Sequence, residues 1–205
     1  PGIAVLIGGL WVANLYYWGF NQYIIQRTLA AKSLKEAQRG IAFAAFLKLI
    51  VPLIVVIPGI VAFVMYTESK DPSVTAMFEM TGGNDKAYPW LIGTFVPTGL
   101  KGLVLAALAA AIVSSLASML NSTSTIFTMD IYKPYMDREA SHKKLVSVGR
   151  ITAAVALVIA GLIAPMMANF DQMFVYIQEY TGLVSPGILA VFLMGLFWKK
   201  TTNQG

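Results

Sequence analysis

A chain of 205 residues with 57% hydrophobic side chains and only 12% charged ones, against about 25% charged in a typical soluble domain, has too little interior to hide its apolar surface in water. The mean hydropathy is +0.68, and five stretches lack any Asp, Glu, Lys or Arg: 1–26, 49–67, 102–129, 151–170 and 180–198. About 20 residues at ~1.5 Å each cross ~30 Å of hydrocarbon. Soluble globular, disordered and fibrous classes are excluded, and an all-α polytopic membrane protein is predicted.

The net charge of +5 and pI near 9.4 read as loop charge on the cytoplasmic side, so no nucleic-acid partner is expected. With no Cys there is no disulfide or thiolate chemistry. The single His142 stands in a polar loop without Cys or His neighbours, so no metal cofactor of the imidazole or thiolate kind is expected. No GxSxG, HExxH, P-loop or paired carboxylate occurs, and an enzyme is not predicted.

The first predicted helix covers about 1–26. Its middle reads Asn14-Leu15-Tyr16-Tyr17-Trp18-Gly19-Phe20-Asn21-Gln22, two amide-bearing stretches around three aromatics and a Gly. With Phe20 counted, the stretch holds four aromatics, and such a cluster fits an interrupted helix lining a watery cavity that holds a mixed polar and apolar ligand, or an aromatic belt at the membrane interface. The chain starts at Pro1 inside an apolar run without an initiating Met, and a longer parent protein is expected.

After a polar loop at 27–39, the second helix is predicted at about 40–66. It carries Lys48, nine residues past Arg39, or roughly 13 Å into the bilayer at helical rise. That is deeper than its stem readily snorkels. Its ammonium therefore serves either as a donor to ligand hydroxyls or as half of a structural ion pair, for which Glu179 is the candidate partner. An outer loop follows at 67–99, within which SVTAMFEM (73–80) and YPWLIGTFV (88–96) read as short surface helices.

The third helix, about 100–129, contains LAAAIVSSLASMLNSTSTIFT. Ala111, Ser114 and Ser115 share one face at i, i+3 and i+4, and Ser118, Ser122 and Thr125 continue the stripe. Hydroxyls and a backbone carbonyl are hard oxygen donors, and the lack of a carboxylate suits a monovalent ion better than calcium. The same residues equally form a small-residue packing ridge, from Ala106 through Ala110, Ser114, Ser118 and Ser122. A second polar loop spans 130–149, and the fourth helix covers about 150–169. A short turn at 169–171 leads to the fifth, about 172–198, where Gln178 offers donor and acceptor to a ligand. Phe174, four residues nearer the outside, stands on the same face as a lid, unless this end is simply a polar entrance at the headgroups.

Orientation follows from charge. The loops 27–39 and 130–150 with the tail from 199 hold eleven Lys and Arg, whereas 67–101 and 169–171 hold three. The first group is therefore placed in the cytoplasm.

The blocks ANLYYWGFNQYIIQRTLAAKS, AAFLKLIVP, ALAAAIVSSLASMLNSTSTIFTMDIYK and YIQEYTGLVSPGILAVF together resemble the sodium/solute symporter family, in particular its sodium–glucose type. The likeness runs nearly the whole length and is weakest at 67–88 and 134–145. It implies a bacterial inner-membrane protein with an inverted five-plus-five repeat, this chain being the second repeat of five transmembrane helices. It also implies sodium-coupled symport of galactose or glucose by alternating access, with sodium as coupling ion and no other cofactor. By the same resemblance, Asn14, Tyr17, Lys48 and Gln178 are the substrate-binding residues, Tyr17 is the inner gate and Phe174 the outer. Ala111, through its carbonyl, with Ser114 and Ser115 would form the second-repeat half of the sodium site. The partner in such a fold is the first repeat of the same protein, and the five helices alone are expected to be inactive. The competing readings are another solute of the same family (proline, inositol, a sialic acid) or a transporter-like sensor module.

Overall fold

The computed structural model describes residues 2–3, 8–69, 72–79, 84–167, 170 and 172–202. These residues are overwhelmingly helical, with no strand among them. Eight α-helices follow in chain order among the described residues: α1 (Leu10–Gly19), α2 (Gln22–Leu29), α3 (Leu34–Val64), α4 (Pro72–Glu79), α5 (Ala87–Phe95), α6 (Thr98–Ile126), α7 (His142–Met167) and α8 (Met173–Phe197). Wider π-helical turns extend α3 over Met65–Ser69 and α6 over Phe127–Met136. Most of the expected start of the first helix and most of the turn expected at 169–171 lie outside the described residues.

Four helical runs are long and apolar enough to cross a bilayer: Leu34–Glu68, Thr98–Met136, His142–Met167 and Met173–Phe197. Their side chains are mostly exposed, Leu49 by 75% and Leu183 by 79%. Apolar surface on that scale is unstable against water, and the protein is a multi-pass membrane protein.

Helix starts obey hydroxyl caps more than charge. α3 begins at Leu34, six residues ahead of the expected 40, because Ser33 caps it. Ser33 Oγ accepts from the Glu36 N–H at 3.3 Å and its carbonyl from the Ala37 N–H at 3.0 Å, and Ser33-Leu34-Lys35-Glu36 has the spacing of a capping box. Likewise α7 begins at His142 instead of about 150. Ser141 Oγ accepts from the Lys144 N–H at 3.4 Å and its carbonyl from the Leu145 N–H at 3.0 Å. The first turn of α7 is further pinned by the Lys144 ammonium, 2.7 Å from the Asp137 carboxylate. A charge-free stretch marks where a helix meets lipid, whereas its cap marks where the backbone starts to coil.

The chain divides into two compact units, one of residues 1–37 with 174–205, the other of 38–173. In the first, α1 ends against α8, where the rings of Phe20 and Phe192 stack with centroids 4.9 Å apart. Ser185, almost fully buried, precedes Pro186 inside α8, and its hydroxyl donates to the Thr181 carbonyl. A back-bond of this kind satisfies the hydroxyl within its own helix where the proline removes an N–H.

In the second unit α6 and α7 pack closely. Ser118, Ser122 and Thr128 are buried on α6 and its π extension, as is Leu145 on α7. The connector between α3 and α6 folds as α4 and α5. Val74 and Met77 of α4 and Ile92 of α5 are buried, and the Phe78 ring lies 4.9 Å from that of Tyr66. Lys101 Nζ donates to the Gly93 carbonyl at 2.6 Å, and Asp85 accepts from the Met173 N–H at 3.0 Å.

Candidate functional site

In the first unit the helix break is real and local. α1 closes with the Phe20 N–H donating to the Tyr16 carbonyl at 2.9 Å, and Phe20 itself leaves helical geometry at φ −130°, ψ −6°. Asn21 is extended (φ −78°, ψ 118°) and its side-chain oxygen accepts from the Tyr23 N–H at 3.3 Å, capping α2. The amide in this motif thus makes the interruption instead of merely sitting near it.

Asn14 and Tyr17 stand three residues apart on one face of α1. Asn14 is exposed, and its Nδ2 donates to the Leu10 carbonyl at 2.8 Å. The amide oxygen, the acceptor of that group, takes no part in this bond. Tyr17 is half-buried. Its ring meets that of Trp18 edge-on at 5.2 Å and that of Tyr23 edge-on at 5.9 Å, and the Tyr17 and Tyr23 hydroxyls share a hydrogen bond. On α8, Phe174 and Gln178 lie four residues apart on one face, both exposed. Glu179 is exposed beside them.

In the second unit, Lys48 lies on α3, exposed and surrounded in sequence by apolar residues. Burial divides the serine stripe on α6. Ser118 and Ser122 are buried, and Ser118 Oγ donates to the Ser114 carbonyl at 3.0 Å. Thr123 and Thr125 back-bond to Met119 and Asn121 at 3.0 and 2.8 Å. Ser124 Oγ crosses to the Gly149 carbonyl at 2.8 Å. These hydroxyls are engaged in holding helices. Ala111, Ser114 and Ser115, one to two turns earlier, are exposed, and the Ser115 hydroxyl is not among the engaged ones. Two neutral hydroxyls and a carbonyl, without a carboxylate, fit a weakly held monovalent hard cation as a partial ligand set.

Tyr23 was not marked by the sequence, because its partnership with Tyr17 depends on the turn at Asn21. The signal was an aromatic placed immediately beyond an Asn-Gln pair that ends an aromatic run. Gly149 and Thr128 were likewise unmarked. The hydroxyl of Thr128 is buried with no hydrogen-bond partner among the described residues, and a Cβ at Gly149 would stand 2.9 Å from Ser124 Oγ and 3.5 Å from Thr128 Oγ1.

The sequence profile described as the sodium:solute symporter family matches residues 1–205. Over 213 residues the chain is 68% identical to the sodium/glucose cotransporter of Vibrio parahaemolyticus, a match that takes in 100% of this chain and 38% of that protein. It is 39% identical over 212 residues to the human sodium/myo-inositol cotransporter 2, covering 100% of this chain and 31% of that protein. To the human sodium/myo-inositol cotransporter it is 38% identical over 200 residues, 94% of this chain and 28% of the relative. The chain therefore spans between 28% and 38% of the length of these relatives.

Proposed function

This chain belongs to the sodium:solute symporter family, and on that footing we propose that it is the second repeat of an inverted five-plus-five transporter that couples sodium entry to uptake of a hexose, galactose or glucose. The observation that carries this reading is the 68% identity, over the chain's full length, to a protein named as a sodium/glucose cotransporter. Family members are transporters, and sodium is the family's coupling ion.

In this proposal the hydroxyls of Ser114 and Ser115 and the Ala111 carbonyl hold sodium from one side, and the first repeat supplies the remaining ligands. Sodium contributes one positive charge that stabilises the state with which sugar also binds best. Coupling requires only that ion and sugar favour the same conformation, and the effect of each on the other's affinity is then equal. Asn14, Lys48 and Gln178 bond the sugar's hydroxyls, Tyr17 stacks on the ring as inner gate, and Phe174 closes the outer side. The loops 27–39 and 130–149 and the tail beyond Trp198 face the cytoplasm, the bacterial inner membrane being the host bilayer.

Sodium-driven uptake by the full-length protein in proteoliposomes tests the coupling. Replacing sodium by potassium is expected to abolish concentrative hexose uptake, and unchanged uptake refutes the proposal. The similarity to myo-inositol cotransporters favours one second reading, a cyclic polyol as solute, since the same hydroxyl-directed donors serve both. Competition between galactose, glucose and myo-inositol separates the two. Hydrogen bonds to a charged donor contribute about 1.5–3 kcal/mol, so Lys48→Met is expected to raise the half-saturating concentration of the true solute about tenfold to a hundredfold.

A further inference from the structure

Across the helix break a second tyrosine reaches the first. In an unbroken helix residues six apart point about 120° from one another around the axis, and their side-chain tips do not meet. Here the extended Asn21 redirects α2, so that the hydroxyl of Tyr23, in the first turn of α2, shares a hydrogen bond with that of Tyr17, in the last turns of α1. The two rings meet edge-on, with centroids 5.9 Å apart and planes at 77°.

Tyr23 is itself firmly held. Its N–H donates to Asn21 Oδ1 and its carbonyl accepts from Gln26 Nε2, each at 3.3 Å. Tyr17 has a different footing: Trp18 touches its ring from one side and Tyr23 holds its tip.

We propose that Tyr23 is a positioning residue for Tyr17, fixing the Tyr17 ring across the break in the rotamer that receives the sugar. The inference rests on the reading of Tyr17 as the residue that stacks on the sugar. A ring already ordered loses less rotamer freedom when the ligand arrives. Deleting the Tyr23 hydroxyl frees the Tyr17 tip and shifts that ordering cost to the binding step, while the chemistry of the Tyr17 ring is untouched.

The test uses the full-length protein in proteoliposomes at matched amounts, with galactose as probe. Tyr23→Phe is expected to raise the KM for galactose about threefold to tenfold, the range of one net neutral hydrogen bond. Vmax and the sodium half-saturation should stay as they are. Introduced into Tyr17→Phe, where the tip contact is already gone, Tyr23→Phe should add nothing. Tyr17→Ala distinguishes the two levels of the inference. If it raises KM and Tyr23→Phe does not, the positioning role is wrong and the Tyr17 reading stands. If Tyr17→Ala leaves KM unchanged, the Tyr17 reading itself falls and the positioning role with it. A Tyr23→Phe variant that loses Vmax at constant KM, or whose effect adds fully to that of Tyr17→Phe, overturns the proposal in favour of a purely structural tyrosine.

Discussion

Alanine at both Ser114 and Ser115 is expected to uncouple sugar uptake from sodium in the full-length protein. Each substitution deletes one hydroxyl from the proposed sodium ligand set, which includes no carboxylate to compensate. A hydrogen-bonding or ligating group facing a charge contributes about 1.5–3 kcal/mol, so each single variant should raise the sodium half-saturation roughly tenfold to a hundredfold. The double variant should show no sodium-dependent uptake within the accessible concentration range. Ser118→Ala and Ser122→Ala provide the contrast. Both serines are buried and Ser118 bonds back to its own helix, so their loss should lower thermal stability while leaving the sodium dependence of the remaining active protein unchanged. The measurement is initial galactose uptake against sodium concentration for all four single variants and the double one. Equal shifts for the exposed and buried pairs would remove the ion-site assignment.

The second large effect is expected at Gly149. A methyl group there would lie 2.9 Å from Ser124 Oγ, a distance at which something must move, and the obstructing oxygen is the one that donates to the Gly149 carbonyl. Gly149→Ala therefore both crowds the contact between α6 and α7 and breaks its hydrogen bond. Overpacking of a close contact typically costs about 1–3 kcal/mol, to be read as a lowered midpoint of thermal unfolding in detergent. Gly161 stands on the same helix, and a methyl group added there would meet nothing within 4 Å. Gly161→Ala should be neutral or raise stability by up to ~1 kcal/mol through the better helix propensity of alanine. Removing the obstructing oxygen in a Gly149→Ala, Ser124→Ala pair should recover part of the loss, as expected for residues in direct contact.

Much of the fold was legible from the absence of charge. Four of the five charge-free stretches of 19 residues or more coincide with the four long apolar runs, whereas the first, 1–26, holds the shorter α1 and part of α2 among its described residues. The two short helices between α3 and α6 were visible in SVTAMFEM and YPWLIGTFV. The same signal placed the starts of α3 and α7 too late, since hydrophobicity registers the solvent and Ser33 and Ser141 register the backbone. The interruption in the first segment was legible as amides and a Gly set among aromatics at mid-depth, whereas the capping role of Asn21 emerged only from the structure.

The candidate site was legible only as residue types. Ser114 and Ser118 look alike in sequence, and only packing separates the exposed serine from the buried one. The meeting of Tyr17 with Tyr23, and of Ser124 with Gly149, arises from a turn and from a helix crossing. Neither leaves a periodic trace along the chain.

The serine seal at the start of α7 bears on how the protein meets bilayers of different thickness. The helix is 26 residues long, about 39 Å at ~1.5 Å per residue, against hydrocarbon of ~30 Å. Ser141 caps its first turn and the Asp137–Lys144 pair lies beside it. A helix longer than the hydrocarbon is thick is accommodated chiefly by tilting, with flanking Lys and Arg as interfacial anchors.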